Sequence, residues 1–543
     1  MKKTIFILCA SILFAGCQKW LDINQNPNSA DASVPTPEQR LPPLLAQFAD
    51  CYESSGTRAA FLTQQLGVTY AVNNNWNLTR WFSNVSSANW PWQSWYVNTA
   101  VNVQPLIEAS QKVDAFHYIG VAKIMKAWGF GFLSEFYGMM PYDDFGNPAT
   151  IQPRFDDASY IFEKVIALLD EGIADLNKTQ GATAPALAKG DIYNKGNVDN
   201  WIRLAYGLKA RFLNHLVKTN SYNPQSILDA LSKAPQIDAQ STIMQYVDES
   251  PNTSSAKEAL QYTNTGTTAR ITKLYYDFIT NNYTDAPTGN NNMEDPRIDS
   301  LIPRMSNSTG ALIRTVPMDM KSDLPKTGPA GYTYNASTNR FSHKDSVYVH
   351  LRRTPANPTA GQRIQSTGTW YTNRASKGLF LTNAEMRFIE AEVKFRQGQK
   401  NDALTSYKAG IRSHMNLMGI NASVIDAFLN STSVIQNSGQ LTLSHIMIQK
   451  YIAMSYSVEN WADMRRNNFC ADAGGNYNEA TGIYKGYNRP SHVYTESYPS
   501  PTDWPRRFAV PSYEINFNID KVLEADKDAS KATYLNKAIW WDK

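Results

Sequence analysis

Cysteine is nearly absent from this 543-residue chain: there are four, and their spacing fits no zinc site. The seven histidines include no His-x-x-x-His or His-Glu-x-x-His arrangement, so metal catalysis lacks its usual ligands. No Gly-x-Ser-x-Gly elbow, glycine-rich phosphate loop or Asp-x-Asp-x-Asp-Gly calcium loop occurs. Neither a metal nor a cofactor is therefore expected. An excess of one charge is also missing. Fifty-two basic residues against forty-eight acidic ones leave +4, too balanced for the basic field that a nucleic-acid binder needs. No apolar run reaches the roughly 20 residues required to span a bilayer.

The first seventeen residues are distinctive. Lys2 and Lys3 precede an apolar run, residues 4–15, which ends Leu13-Phe14-Ala15-Gly16-Cys17. A basic start, a short apolar stretch and small residues before the cleavage point describe a secretory signal over residues 1–16. Cysteine directly after Ala-Gly makes it a bacterial lipobox, cleaved before Cys17 and acylated there. The mature chain is then anchored to a membrane by lipid rather than spanning it. Loss of Lys2 and Lys3 lowers the net charge from +4 to +2. Residues 17–43 are rich in Pro and Asn, which disfavours regular structure and predicts a tether. A mean hydropathy of −0.42 with 42% hydrophobic residues allows a large core in the body, residues 44–543. Cys51 and Cys470 remain, either as one long-range disulfide or as two separate thiols.

Helical periodicity dominates that body. Residues 115–137 place Phe116, Ile119, Ile124, Trp128, Phe132 and Phe136 on one broad stripe, and residues 156–176 and 200–217 repeat the pattern. Thr382 to Glu385 reads as a capping box, Gly398 as a helix end, and Asn401 as the next cap. Phe388, Ala391 and Phe395 share one face of the first helix; Ala403, Tyr407 and Ile411 fall four apart in the second. The pair resembles a tetratricopeptide-type hairpin. Polar loops separate the helices, the longest at 251–268, 283–371 and 471–504. Their aromatics argue against simple disorder and for a binding face carried on a helical scaffold.

A ligand site is predicted from aromatic placement. Trp76, Trp81, Trp90, Trp92 and Trp95 crowd one stretch that also holds Asn73, Asn74, Asn75 and Asn77. Sugar rings lie on aromatic faces, and amides pair with hydroxyls as donor and acceptor. Trp92, Trp95 and Tyr96 lead into an apolar run and are read as core. Asn74, Trp76, Trp81 and Trp90 are the candidate platform, with Trp370 and Tyr371 as second contributors. Asp463 and Arg466 are spaced for a helical ion pair of structural kind. Asp143, Asp144, Asp156 and Asp157 read as loop or capping acids.

Several blocks in order resemble the SusD/RagB-type lipoproteins of Bacteroidetes. The lipobox is followed by Leu21-Asp22-Ile23-Asn24-Gln25-Asn26-Pro27-Asn28. Then come Ala127-Trp128 through Tyr137-Gly138-Met139-Met140-Pro141-Tyr142, Trp201 to Arg211, Thr382 to Glu392, Gln449 to Ala453, Trp461 to Arg466, and Arg507 to Glu514. The resemblance covers nearly the whole mature chain. It implies an all-α SusD-like fold, with tetratricopeptide-type hairpins as scaffold and a loop-rich ligand face to which the N-terminal region contributes. It also implies a cell-surface outer-membrane lipoprotein that is not an enzyme. Such a protein captures an oligosaccharide, or in some members a peptide, for a SusC-like TonB-dependent transporter. Two other classes stay open, a surface glycoside hydrolase with paired carboxylates and a tetratricopeptide adaptor for protein partners.

Overall fold

The computed structural model describes residues 35–68, 74–250, 269–302 and 369–543, with short stretches between 253 and 343. Cys17, the predicted signal peptide and residues 17–34 of the predicted tether lie outside the described residues. The C-terminal end of that tether is corrected. Helix α1, Pro37–Leu62, begins inside it and buries Leu41 completely. Proline at the first helical position costs nothing, since its missing N–H would have been unpaired there. The Thr36 amide donates to Gln39 Oε1 at 3.0 Å. Pro42 and Pro43 are carried within the helix because its apolar face is buried along the whole body.

Three short helices follow: α2 (Asn74–Thr79), α3 (Val85–Gln93) and α4 (Val103–Gln111). Between α3 and α4 the backbone widens into a π turn, Ser94–Thr99. The turn lays Trp95 on Gly129, where even a Cβ would come within 2.0 Å of the indole.

The scaffold is a series of helix pairs. Helix α5 (Phe116–Tyr137) packs on α6 (Ala158–Leu176), as the apolar spacing predicts. The two run antiparallel, with Gly120 near the start of α5 against Gly172 near the end of α6. Next come α7 (Val198–His215) and α8 (Pro224–Lys233), then α9 (Lys273–Ile279) and α10 (Ile298–Leu301). The pair α11 (Asn383–Arg396) and α12 (Lys400–Leu417) is antiparallel too, with Phe388 against Gly410. Gly398 is left-handed at φ +78°, as a helix end requires. The predicted cap at Asn401 is corrected, because the chain turns so tightly that α12 starts at Lys400. Helices α13 (Ala422–Leu429), α14 (Leu443–Ala453), α15 (Glu459–Arg466), α16 (Ser512–Phe517) and α17 (Ile519–Ala525) complete the set among the described residues. Strands are short and pair in two-stranded antiparallel ladders, such as Lys377–Leu381 with Thr242–Gln245.

Charge inside this body is paired. Arg466 donates to Glu392 Oε2 at 2.6 Å and to Asp463 Oδ1 at 2.7 Å, all three groups buried. The predicted Asp463–Arg466 pair is thus part of the core. His215 is clamped between Glu135 at 2.5 Å and Glu459 at 3.1 Å. Arg465 lies between Trp461 and Trp541, 4.2 and 4.7 Å from their ring centres. Cys51 and Cys470 are separate buried thiols. Asp157 caps α6 through the Ser159 amide, and Asp156 accepts from the amides of Tyr142 and Asp143.

Candidate functional site

A cleft of about 410 Å³ opens where the C-terminal end of α9 meets residues 479–488 and 319–321. This volume lies within the range of small-molecule pockets, roughly 300–1,000 Å³. One wall is the turn Asn281-Asn282-Tyr283-Thr284. Asn281 and the nearby Asp285 hold left-handed backbones, φ 54° and 64°, and so does the floor residue Gln64 at φ 56°. Such conformations in residues other than glycine cost energy and persist where surrounding structure fixes them, often at binding sites. Here the fixing is visible. The Asn281 amide donates to the Ser433 carbonyl at 2.8 Å, and that of Gln64 to the Asn488 carbonyl.

The charged groups of the cleft are balanced and largely spoken for. Lys273, Lys321 and Lys485 line the cleft together with Asp277, Asp319 and Glu479. Lys273 pairs with Asp277, whose second oxygen accepts from Asn282 Nδ2 at 3.0 Å. Glu479 bridges the walls by accepting from Thr284 Oγ1 at 2.6 Å and from the Tyr477 hydroxyl. Those two hydrogen bonds hold its carboxyl below the ordinary range. Lys485 donates to the Glu479 and Ala480 carbonyls. A ligand therefore meets a mixed lining of amides, hydroxyls and paired charges rather than an open field of either sign, while the Tyr283 ring packs edge-on to Phe278 with centres 5.7 Å apart.

The residues predicted from sequence do not converge on this cleft. Asn74 and Trp76 lie on α2, and their side chains fall outside the described residues. The next residues abut the 488–498 loop, with Arg80 donating to the His492 carbonyl at 2.9 Å and Phe82 stacked on Tyr494 at 4.0 Å. Trp81 is corrected: it is fully buried, stacked on Tyr487 at 5.8 Å and packed against Tyr498 and Trp504. Tyr371 is corrected likewise. Its buried hydroxyl lies 2.9 Å from His414 Nε2 and reaches the Ala453 carbonyl at 3.2 Å, so it belongs to the core. Trp370 is half-buried, edge-on to Tyr371. Trp90 is 38% exposed on α3, with its indole N–H on Ser54 Oγ, and does not line the cleft. Trp92 and Trp95 are core, as expected. Sequence reasoning missed the 281–284 wall, although Asn-Asn-Tyr-Thr repeats the amide-with-aromatic signal used near Trp76.

The chain belongs to the SusD-like family whose model is described as starch-binding and associating with the outer membrane; the match spans residues 30–483. No match is found among curated proteins. Among solved structures, a chitin-binding SusD homologue from Flavobacterium johnsoniae is similar, with 16% identity and a TM-score of 0.66. That likeness covers 92% of this chain and 98% of the other. A SusD/RagB family protein from Bacteroides thetaiotaomicron is similar at 18% identity and TM-score 0.63, covering 94% and 99%. At these identities the likeness establishes the fold, a mostly helical SusD-like body. Among the described residues no helix is long and apolar enough to cross a membrane.

Proposed function

We propose that this chain is a cell-surface lipoprotein, acylated at Cys17, that captures an oligosaccharide and delivers it unmodified to a SusC-like TonB-dependent transporter. Family membership supports the role, and the cleft lined by residues 281–284 supports the cargo. The observation that carries the cargo is the charge balance of that cleft. Asp277, Lys273, Glu479 and Lys485 already hold partners within the protein, while Asn282 keeps its carbonyl and Thr284 its lone pairs as acceptors for hydroxyls. A peptide needs free charges for its termini and side chains, which this arrangement offers poorly.

The test is calorimetric titration of the detergent-solubilised chain with maltohexaose, chitohexaose and a mixed hexapeptide pool. An Asn282→Ala, Thr284→Ala double variant runs beside wild type, since both side chains are exposed, and a thermal melt checks that losing their bonds to Asp277 and Glu479 leaves the body folded. Saturable sugar binding that weakens at least tenfold in the variant, with no product formed, is the expected result. Binding of peptides alone rejects the glycan cargo, and release of shortened sugars rejects the transport-accessory role.

A further inference from the structure

A second cleft, of about 300 Å³, shares no residue with the first. It lies where the C-terminal turn of α5 meets Phe155 and Asp157, the end of α17 and residues 537–543. Its floor is rigid. Gly138, left-handed at φ +81°, turns the chain so closely over Arg507 that a Cβ would lie 2.7 Å from the guanidinium. Arg507 is itself fixed at three points, donating to the Lys537 carbonyl at 2.7 Å, the Ala538 carbonyl at 2.6 Å and the Tyr534 hydroxyl at 2.8 Å. Lys537 is bound to both oxygens of Asp526 at 2.7 Å.

With those groups engaged, three others remain for a ligand. Trp540 is half-buried and braced edge-on by Phe162, with ring centres 5.4 Å apart. Its indole N–H has no partner among the described residues. Asp157 spends one carboxylate oxygen on the Ser159 amide and hydroxyl, and the other has no partner among the described residues. Lys543 is exposed and unpaired among the described residues. A braced aromatic ring beside one free acceptor and two free donors fits a pyranose, which needs an apolar platform and a ring of hydroxyl partners.

We propose that this cleft is a second carbohydrate-contact site, with Trp540 as its platform and Asp157 and Lys543 as its polar partners. The inference rests on the glycan reading above and adds a separate place of contact. Two sites on one body engage one polymer with an effective concentration that single oligosaccharides lack, raising apparent affinity by up to about 10²–10⁴ where the chain spans both.

The experiment counts binding events on the detergent-solubilised chain with maltohexaose and chitohexaose. Wild type is compared with Trp540→Ala, with Lys543→Ala and with the Asn282→Ala, Thr284→Ala variant of the first cleft. Two events, one of them lost in a Trp540→Ala chain that still melts cooperatively, is the expected result. One event lost only in the first-cleft variant overturns the second site and leaves the proposed function standing. One event lost only in Trp540→Ala keeps this site and removes the ligand from the first cleft. No event with either sugar overturns both. Should Trp540→Ala unfold, Lys543→Ala decides: a weakening of the second event by threefold or more supports the site, and no change overturns it.

Discussion

Glu385 gives both its carboxylate oxygens to Arg211, at 2.6 and 2.7 Å, and none to the backbone of Thr382. The capping box read from sequence is therefore half made. The Thr382 hydroxyl still accepts from the Glu385 amide at 3.2 Å, but the carboxylate has been drawn across to α7. Both partners are wholly buried, so an uncompensated charge is what either loss would leave. Glu385→Ala should cost about 3–5 kcal/mol, whereas Thr382→Ala should cost about 1 kcal/mol. Urea unfolding midpoints measure both, and equal costs would contradict this division of labour.

Two tryptophans that look alike in sequence should behave oppositely. Trp81→Ala removes a ring stacked among Tyr487, Tyr498 and Trp504 and should destabilise by about 3–5 kcal/mol. Trp90→Ala loses an exposed ring and one hydrogen bond, for about 1 kcal/mol or less. Thermal melts of the two variants separate them. A Trp81→Ala chain that melts like wild type would return Trp81 to the surface.

His215 should couple stability to alkaline pH. Burial opposes its charge, yet Glu135 and Glu459 outweigh burial and hold its pKa at about 9, above the ordinary 6.5. The imidazolium therefore stabilises the fold fully below about pH 6.5, and that stabilisation fades as pH rises through 9. Lys218, which burial lowers to about 8, trends the other way, since its folded form prefers to be neutral. The useful quantity is the difference in melting temperature between wild type and His215→Gln from pH 6 to 10. It should shrink with rising pH, and a flat difference would refute the clamp.

Cys51 and Cys470 should be silent toward alkylating agents in the native chain. Burial pushes their thiols up to about 12 and about 11, far from the thiolate that reacts. Iodoacetamide followed by peptide mass analysis should label neither until urea is added, and then both. A disulfide-linked peptide would reject the free-thiol assignment.

The helices were legible where one face repeats over several turns. Residues 116–137 and 158–176 fall within a residue or two of the stripe drawn from Phe116 and Ile161. The start of α1 was not, because proline density speaks for a loop while the burial of Leu41 that overrules it comes from distant segments. The same limit explains Trp81. Nothing within ten residues tells that Tyr487 and Trp504, some four hundred positions on, will enclose it. The first cleft joins residues 281–284 to 479–488, so neither half carries the signal alone. What sequence supplied was the residue chemistry, amides beside an aromatic, without its address.

Long-range closure also governs when this body can form. The last carbonyls of the first helix are capped from far down the chain: Tyr487 donates to the Leu62 carbonyl across 425 positions and Tyr451 to that of Thr63 across 388. The Tyr456 amide meets Gln65 Oε1 across 391. Synthesis delivers the helix early and its caps late, so the carbonyls of its C-terminal end stay hydrated rather than capped until residues 451–487 have emerged. Closing loops of that length carries an entropic cost before the contacts repay it. The end of the first helix is thus completed by residues 451–487, and a chain interrupted before them leaves that helix without its caps.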